Sequence, residues 1–220
     1  LADNATARMS FDSFLSQQYG GNQDAQKLAR GVFTDLTEMR PRPFAGRSKK
    51  ASEVLGVLSR PEAQKRSVLL TGTIGIGKTA LIEHVASGIK AGTYELDSKF
   101  LELDLPKLAS LHGQPGQAAK AEPPFEAFFN SVLPALPENA VIVVRGAERL
   151  LVEGGNRILQ RFEKPMERFG QRFVFALEDA AALPKGHFLR KFTEKVDLSE
   201  PDRNEAMQML LAHKAGWEAS

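Results

Sequence analysis

The sequence predicts an α/β fold, a parallel five-stranded sheet with helices packed on both faces. Three observations predict it. Short, continuous apolar runs recur at 67–70 (SVLL), 100–103 (FLEL), 141–144 (VIVV), 173–177 (FVFAL) and 195–198 (KVDL). Strands that are apolar on both faces belong inside a layered sheet rather than on a half-wet one. Stretches of helical spacing separate them, at 78–89, 124–135, 154–168 and 184–192, the pattern of parallel crossovers. A glycine-rich turn at 72–79 joins the first strand to the first of these helices.

Ahead of the first strand, residues 1–42 read as a polar arm and linker. Apolar positions Phe11, Phe14 and Leu15, then Leu28, Val32, Phe33 and Leu36, have helical spacing in patches, broken at Gly20-Gly21. This predicts one or two loosely attached helices. Arg40-Pro41-Arg42-Pro43 then forces extended chain, because each proline restricts itself and the residue before it. A helix over 48–59 carries Val54, Leu55 and Leu58 on one face, with Ser48 as its candidate cap. The main α/β domain is expected over 43–200, and a last helix over 201–220, opened by Pro201 in its first turn. The stretch 112–124, rich in Gly, Gln, Pro and Ala, is expected to be a mobile loop.

Composition narrows the function classes. The 220 residues are 42% hydrophobic and 25% charged with a formal net charge of +2, ordinary for a globular chain and too mild to indicate nucleic acid. With no cysteine, disulfides and thiol-ligated metal sites are excluded, and a reducing, cytoplasmic setting is expected. No apolar run is long enough to predict membrane insertion. The chain starts with Leu and shows no charged-then-apolar leader, so it reads as a trimmed piece of a longer protein.

The turn carries the chemistry. Gly72-Thr73-Ile74-Gly75-Ile76-Gly77-Lys78-Thr79 satisfies G-x-x-x-x-G-K-[ST], directly after an apolar strand and opening the helix expected over 78–89, whose Ala80 is a further candidate for nucleotide contact. The glycines let backbone N–H groups converge on phosphate oxygens without Cβ clashes. Lys78 brings a point charge to the β- and γ-phosphates, the Thr79 hydroxyl is the candidate Mg²⁺ ligand, and the helix N-terminus favours the same anion.

With that loop in place, the chain resembles the AAA+ ATPases, above all the first nucleotide-binding domain of Clp-type unfoldases and their secretion-system relatives. The segment from Phe33-Thr34-Asp35-Leu36-Thr37-Glu38 to Pro43-Phe44-Ala45-Gly46-Arg47 is similar to the family's entry motif, Val57-Leu58-Ser59-Arg60 to the stretch before the phosphate-loop strand, and Glu200-Pro201 to the passage into a helical lid. The resemblance implies ATP or ADP as ligand, Gly46 and Arg47 beside the adenine, oligomerisation with AAA+ or other protein subunits, and a lid beginning at 201–220. It also makes Arg190, in Leu189-Arg190-Lys191-Phe192, the candidate arginine finger. Lys191 next to it cannot make a bidentate contact.

One motif departs from the pattern. The family ends its third strand in Asp-Glu, for the metal's water shell and for the attacking water. Here VIVV is followed by Arg145-Gly146, then Ala147-Glu148-Arg149-Leu150-Leu151. Arg145 reverses the charge at the metal position and Gly146 has no group to activate water, so normal Mg²⁺ coordination is not expected and hydrolysis is expected to be weak or absent. The next strand ends in Glu178-Asp179, which predicts an ion pair from Arg145 to one of these acids beside the phosphate loop. Two other arrangements stay open. Either Arg145 faces solvent while Glu178 caps the following helix, or Glu148 or Asp179 binds metal from a displaced position. The loop 112–124 also lacks an aromatic for gripping polypeptide, and Phe125, Phe128, Phe129 and Leu133 read as a core-facing helical stripe. The four histidines have no metal-ligand spacing. The expected function is a regulatory or assembly subunit that binds ATP or ADP with little hydrolysis. Alternatives are an active motor with displaced or partner-supplied catalytic groups, and a protein-interaction module on a vestigial fold.

Overall fold

The computed structural model describes residues 3–40, 44–61, 66–112, 122–151, 156–168 and 170–218. Every apolar run becomes a strand. The strands are β1 (Phe33–Asp35), β2 (Ser67–Thr71), β3 (Lys99–Leu103), β4 (Ala140–Arg145), β5 (Arg172–Leu177) and β6 (Thr193–Asp197). The sheet is therefore six-stranded rather than five, in the order β1-β3-β4-β5-β2-β6. The five expected strands are parallel, and the sixth, β1, pairs antiparallel with β3 through Phe33 opposite Leu103. A three-residue edge strand has too little periodicity to be legible in sequence.

The pleat sends alternate side chains into two cores. Leu69, Ile142, Val144, Phe173 and Phe175 face one helical layer, while Val68, Leu70, Val141, Val143 and Val174 face the other. The first layer contains α2 (Phe11–Tyr19) and α3 (Gln23–Val32), following a short α1 (Ala5–Arg8); the second contains α4 (Ser48–Leu58) and α5 (Lys78–Ala91). Ser48 is the first residue of α4 and gives no capping bond, Arg47 taking the cap position.

The loosely attached arm is not what the structure shows. Phe14, Leu15, Tyr19, Ala29 and Val32 are all buried in the first core, and Tyr19 donates its hydroxyl to Val132 O at 2.8 Å. The segment before α2 is held as firmly. Asn4 donates to Ile89 O and Tyr94 O at 2.7 and 2.8 Å, and Ala7 N donates to Asp97 at 3.0 Å. Lys99 and Asp35 form an ion pair at 2.6 Å with side chains 0% and 1% exposed. Lys99 Nζ also donates to Thr37 Oγ1 and to the carbonyls of Ala7 and Met9. The patchy apolar spacing reflects helices of nine and ten residues, each short but packed along its length.

A helix α6 (Leu105–Ser110) stands where none is expected from the sequence, and the remaining helices are shorter than their sequence patterns: α7 (Pro124–Ala127), α8 (Asn156–Gln160), α9 (Glu163–Arg168) and α10 (Phe188–Phe192). The stripe Phe125, Phe128, Phe129 and Leu133 is buried as expected, but α7 widens into a π-turn over Phe128–Val132. The stretch 154–168 divides because Pro165 fits only an early helical turn and cannot follow an unbroken helix through Arg161. Most of loop 112–124 lies outside the described residues. The last helix, α11 (Arg203–Glu218), starts after Pro201 with Asp202 as its cap. Asn204 N and Glu205 N donate to Asp202 Oδ1, each at 2.8 Å, and Asp202 N donates back to Glu205 at 3.1 Å, a reciprocal capping box.

Candidate nucleotide-binding site

Strand order brings the candidate residues together. β2 lies between β5 and β6, so the loop leaving β2 emerges beside Glu178 and Leu198. Gly72 N donates to Glu178 O at 3.1 Å, and Leu198 N donates to Thr71 O at 2.7 Å. Gly72, Gly75 and Gly77 have φ of +150°, +82° and +102°, values that L side chains avoid. At Gly72 the crowding is also steric, since a Cβ would stand 2.6 Å from Leu198 O. The loop enters α5 through Gly77, and Leu81 N donates to Gly77 O at 2.9 Å. Lys78 Nζ turns back over the loop, donating to the carbonyls of Gly72 and Thr73. Thr73, Thr79 and the loop tip Ile74, 80% exposed, face outward.

Gly46 and Arg47 join this surface from the other side. Arg47 is buried, donating from Nη2 to Ser199 O at 2.8 Å and lying 3.8 Å from Glu205. A Cβ on Gly46 would stand 2.6 Å from Glu205 O. Gly46, Arg47, Ser199, Leu198 and Gly72 thus make a continuous run of contacts from the entry of α4, past the start of α11, to the phosphate loop. Phe44 stacks on His84 with centroids 4.1 Å apart, and His84 Nε2 is hydrogen-bonded to the Tyr94 hydroxyl at 2.9 Å. Burial holds the His84 pKa below its usual value and pushes that of Tyr94 up.

The predicted pair from Arg145 to Glu178 or Asp179 is not formed. Arg145 Nε and Nη2 instead donate to the two carboxylate oxygens of Glu102 on β3, and Nη1 lies 3.8 Å from Glu83 on α5. The reason lies in the pleat. Arg145, Glu102 and α5 share the sheet face of Val143 and Phe100, so the guanidinium meets a carboxylate on each side before it could reach across β5. Glu178 is exposed and offers its backbone carbonyl to Gly72, while Asp179 caps the turn Ala180–Ala182 by accepting from Ala181 N at 2.8 Å. Sequence reasoning missed Glu102 and Glu83. The available signal was a charged residue inside each of two otherwise apolar runs, FLEL and ALIE.

Gly146 has φ +68° and turns the chain into the 3₁₀ helix Ala147–Leu150. Glu148 Oε2 is buried there without a hydrogen-bond partner. Arg190 donates through Nη2 to Ala180 O and Leu183 O at 2.7 and 2.8 Å, so the candidate finger is engaged within its own chain. A separate cavity of about 600 Å³ lies between α3, α6 and α7, lined by Leu28, Val32, Leu111 and Val132; none of the candidate residues borders it.

A phosphate loop that joins β2, flanked by β5 and β6, to the following helix α5 defines a P-loop nucleoside-triphosphatase fold, and the family comparison is more specific. Residues 43–213 match the model of the AAA ATPase domain, and the chain belongs to that family, whose members bind ATP and ADP. Among curated proteins it is similar to the chaperone protein ClpB of Yersinia enterocolitica, 30% identical over 191 residues covering 80% of this chain and 21% of that protein. ClpB of Mycoplasma genitalium is 22% identical over 88% of this chain and 28% of its own length. The chain therefore spans about a quarter of the curated relatives it matches. Among solved structures, a Saccharomyces cerevisiae Hsp104–casein complex aligns with TM-score 0.68 and 25% identity, over 87% of this chain and 34% of that one. A closed-state Hsp104 with ATPγS and casein gives TM-score 0.72 at 24% identity, over 87% of this chain and 34% of that one, a likeness of fold.

Proposed function

We propose that this domain binds ATP or ADP through its phosphate loop, hydrolyses it poorly or not at all, and serves as a regulatory or assembly component of a larger, cytoplasmic protein machine. One observation carries the reading: beside a complete loop, Arg145 stands at the position from which the family holds its metal's water shell, paired with Glu102. Both Glu102 oxygens receive N–H donors from the guanidinium, which leaves them poor ligands for Mg²⁺. Unpaired, a cation at the metal position would oppose a second cation by about 4 kcal/mol per unit charge at 4 Å and an effective dielectric near 20. Glu102 and Glu83 offset much of this, so the larger loss is of the carboxylate ligands themselves. Gly146 supplies no base for water. The relatives' nucleotide and casein complexes support a nucleotide ligand and protein partners.

The test is titration of the purified domain with fluorescent ATP and ADP, with Mg²⁺ and with chelator, beside a phosphate-release assay. Binding that is nearly indifferent to Mg²⁺, lost in Lys78→Ala, with no phosphate release, supports the reading. Mg²⁺-dependent release that vanishes in Lys78→Ala would overturn it in favour of an active motor, the alternative favoured by the unpartnered Glu148 carboxylate oxygen. Absence of nucleotide binding would leave a protein-interaction module.

A further inference from the structure

We infer that Arg66 and Arg172 form an oxyanion-binding site at the pole of the sheet away from the phosphate loop. β2 and β5 are parallel and in register from Val68 opposite Val174, and Phe173 N donates to Ser67 Oγ at 2.9 Å. Continued two residues back, that register brings Arg66, the residue just before β2, beside Arg172 at the start of β5, close enough for its charge to act on Arg172. Like charges so placed destabilise a sheet unless something of opposite sign joins them.

The two arginines are unequally provided for. The Arg66 side chain is 7% exposed, donates from Nη2 to Gly170 O at 2.7 Å and lies 3.5 Å from Glu138 Oε2. That carboxylate is itself 61% exposed. Arg172 has a buried Nε without a hydrogen-bond partner, and its guanidinium has no ion pair among the described residues. Burial, then the charge of Arg66, hold its pKa below the usual value, while Glu138 acts the other way. Two guanidiniums against one outlying carboxylate leave an excess positive charge over a partly desolvated N–H donor. A guanidinium has only donors, arranged as a fork that matches two oxygens of one anion. The complementary ligand is therefore a phosphate or carboxylate group. The site lies a strand's length, roughly 17 Å, from Gly72, too far for one phosphate to touch both.

The experiment is performed in a Lys78→Ala background, so that anion binding at the phosphate loop is suppressed. Melting temperature is measured in millimolar phosphate, in acetate and in chloride at equal ionic strength. Phosphate is expected to raise Tm by about 3 °C over chloride, and adding Arg172→Gln to abolish that rise. Arg172→Gln is also expected to raise Tm in chloride, because it relieves the repulsion from Arg66. A merely structural arginine would share the rise in chloride but would not give the phosphate response. A response to acetate as well as phosphate assigns the site to carboxylates too; a response to phosphate alone restricts it to phosphate groups. Arg172→Lys keeps the charge without the fork and is expected to retain a weakened response, which serves if the glutamine variant does not fold. Equal anion responses with and without Arg172, or no response to either anion in the Lys78→Ala protein, would overturn the inference. Nucleotide enters none of these measurements, so their outcome is independent of the reading above.

Discussion

Arg145, the last residue of β4, donates to both carboxylate oxygens of Glu102 on the neighbouring strand β3, and its third nitrogen faces Glu83 on α5. One guanidinium thereby ties two strands to the helix that follows the phosphate loop. The three side chains are 28%, 21% and 9% exposed, so the pair is neither a free surface bridge nor a fully dry one.

This makes the arginine difficult to revert alone. R145D/G146E, which restores the family residues, adds two carboxylates, the first set against Glu102 and Glu83 with no cation between them, and puts a side chain on the positive φ of Gly146. The double variant is expected to lose about 1–3 kcal/mol in urea unfolding, the full cost of a broken buried pair being discounted for partial exposure. Adding E102Q is expected to recover most of the loss. Only the triple variant is expected to show Mg²⁺-dependent phosphate release. Release by R145D/G146E itself would show that Glu102 does not hold the site in its present state.

Gly72→Ala tests how the loop leaves β2. The residue has φ +150°, and a Cβ would lie 2.6 Å from Leu198 O and 2.9 Å from Ile76 Cγ2. Backbone on one side cannot yield as a side-chain tip does. The loop is expected to shift, lowering ATP and ADP affinity at least tenfold and stability by about 1–3 kcal/mol. Gly75→Ala, with no neighbour within 4 Å of its Cβ at φ +82°, is expected to cost less stability. Fluorescence titration and urea unfolding separate the two.

The contrast between these residues shows what was legible in sequence. The phosphate loop announced itself because spacing, preceding strand and following helix are local, and local pattern survives folding. The five parallel strands were legible as apolar runs. The partner of Arg145 was not, because it depends on which strand lies on each side of β4 and which face each residue takes. Glu102 stands 43 positions away in sequence, and only the order β3-β4-β5 makes it a neighbour. The N-terminal region departs from its sequence expectation for the same reason. Its polar composition was read directly, whereas the partners that satisfy Asn4 and bury Phe14 belong to distant segments.

The Lys99–Asp35 pair is the clearest test of that docking. Both side chains are buried, and Lys99 also holds the carbonyls of Ala7 and Met9. Asp35→Ala leaves an uncompensated buried ammonium, with an expected loss of about 3–5 kcal/mol. K99M/D35L, which removes both charges, is expected to cost less than either single change. In K99M, amide exchange over residues 5–9 is expected to accelerate while that of β4 is little changed. Uniform acceleration across the chain would mean that the segment does not open separately from the sheet.

Stability is also expected to fall in mild acid, through two histidines. Burial is the largest cause of the lowered pKa of both His84 and His187; at His187 the nearby Glu163 opposes the shift and Arg190 adds to it. In each case the folded pKa lies below the unfolded value near 6.5, so between the two values the unfolded chain binds more protons. The stabilisation is therefore complete above about pH 6.5 and is lost as pH falls through the folded values. His84 stacks against Phe44, and His187 caps α10 by accepting from Leu189 N through Nδ1. Protonating Nδ1 removes that acceptor, so the cap weakens as the charge appears. Melting temperatures measured from pH 7.5 to 5 are expected to decline in the parent protein and to decline less in H84Q/H187N, the two profiles converging toward acid. Parallel profiles would show that neither histidine contributes to the acid sensitivity.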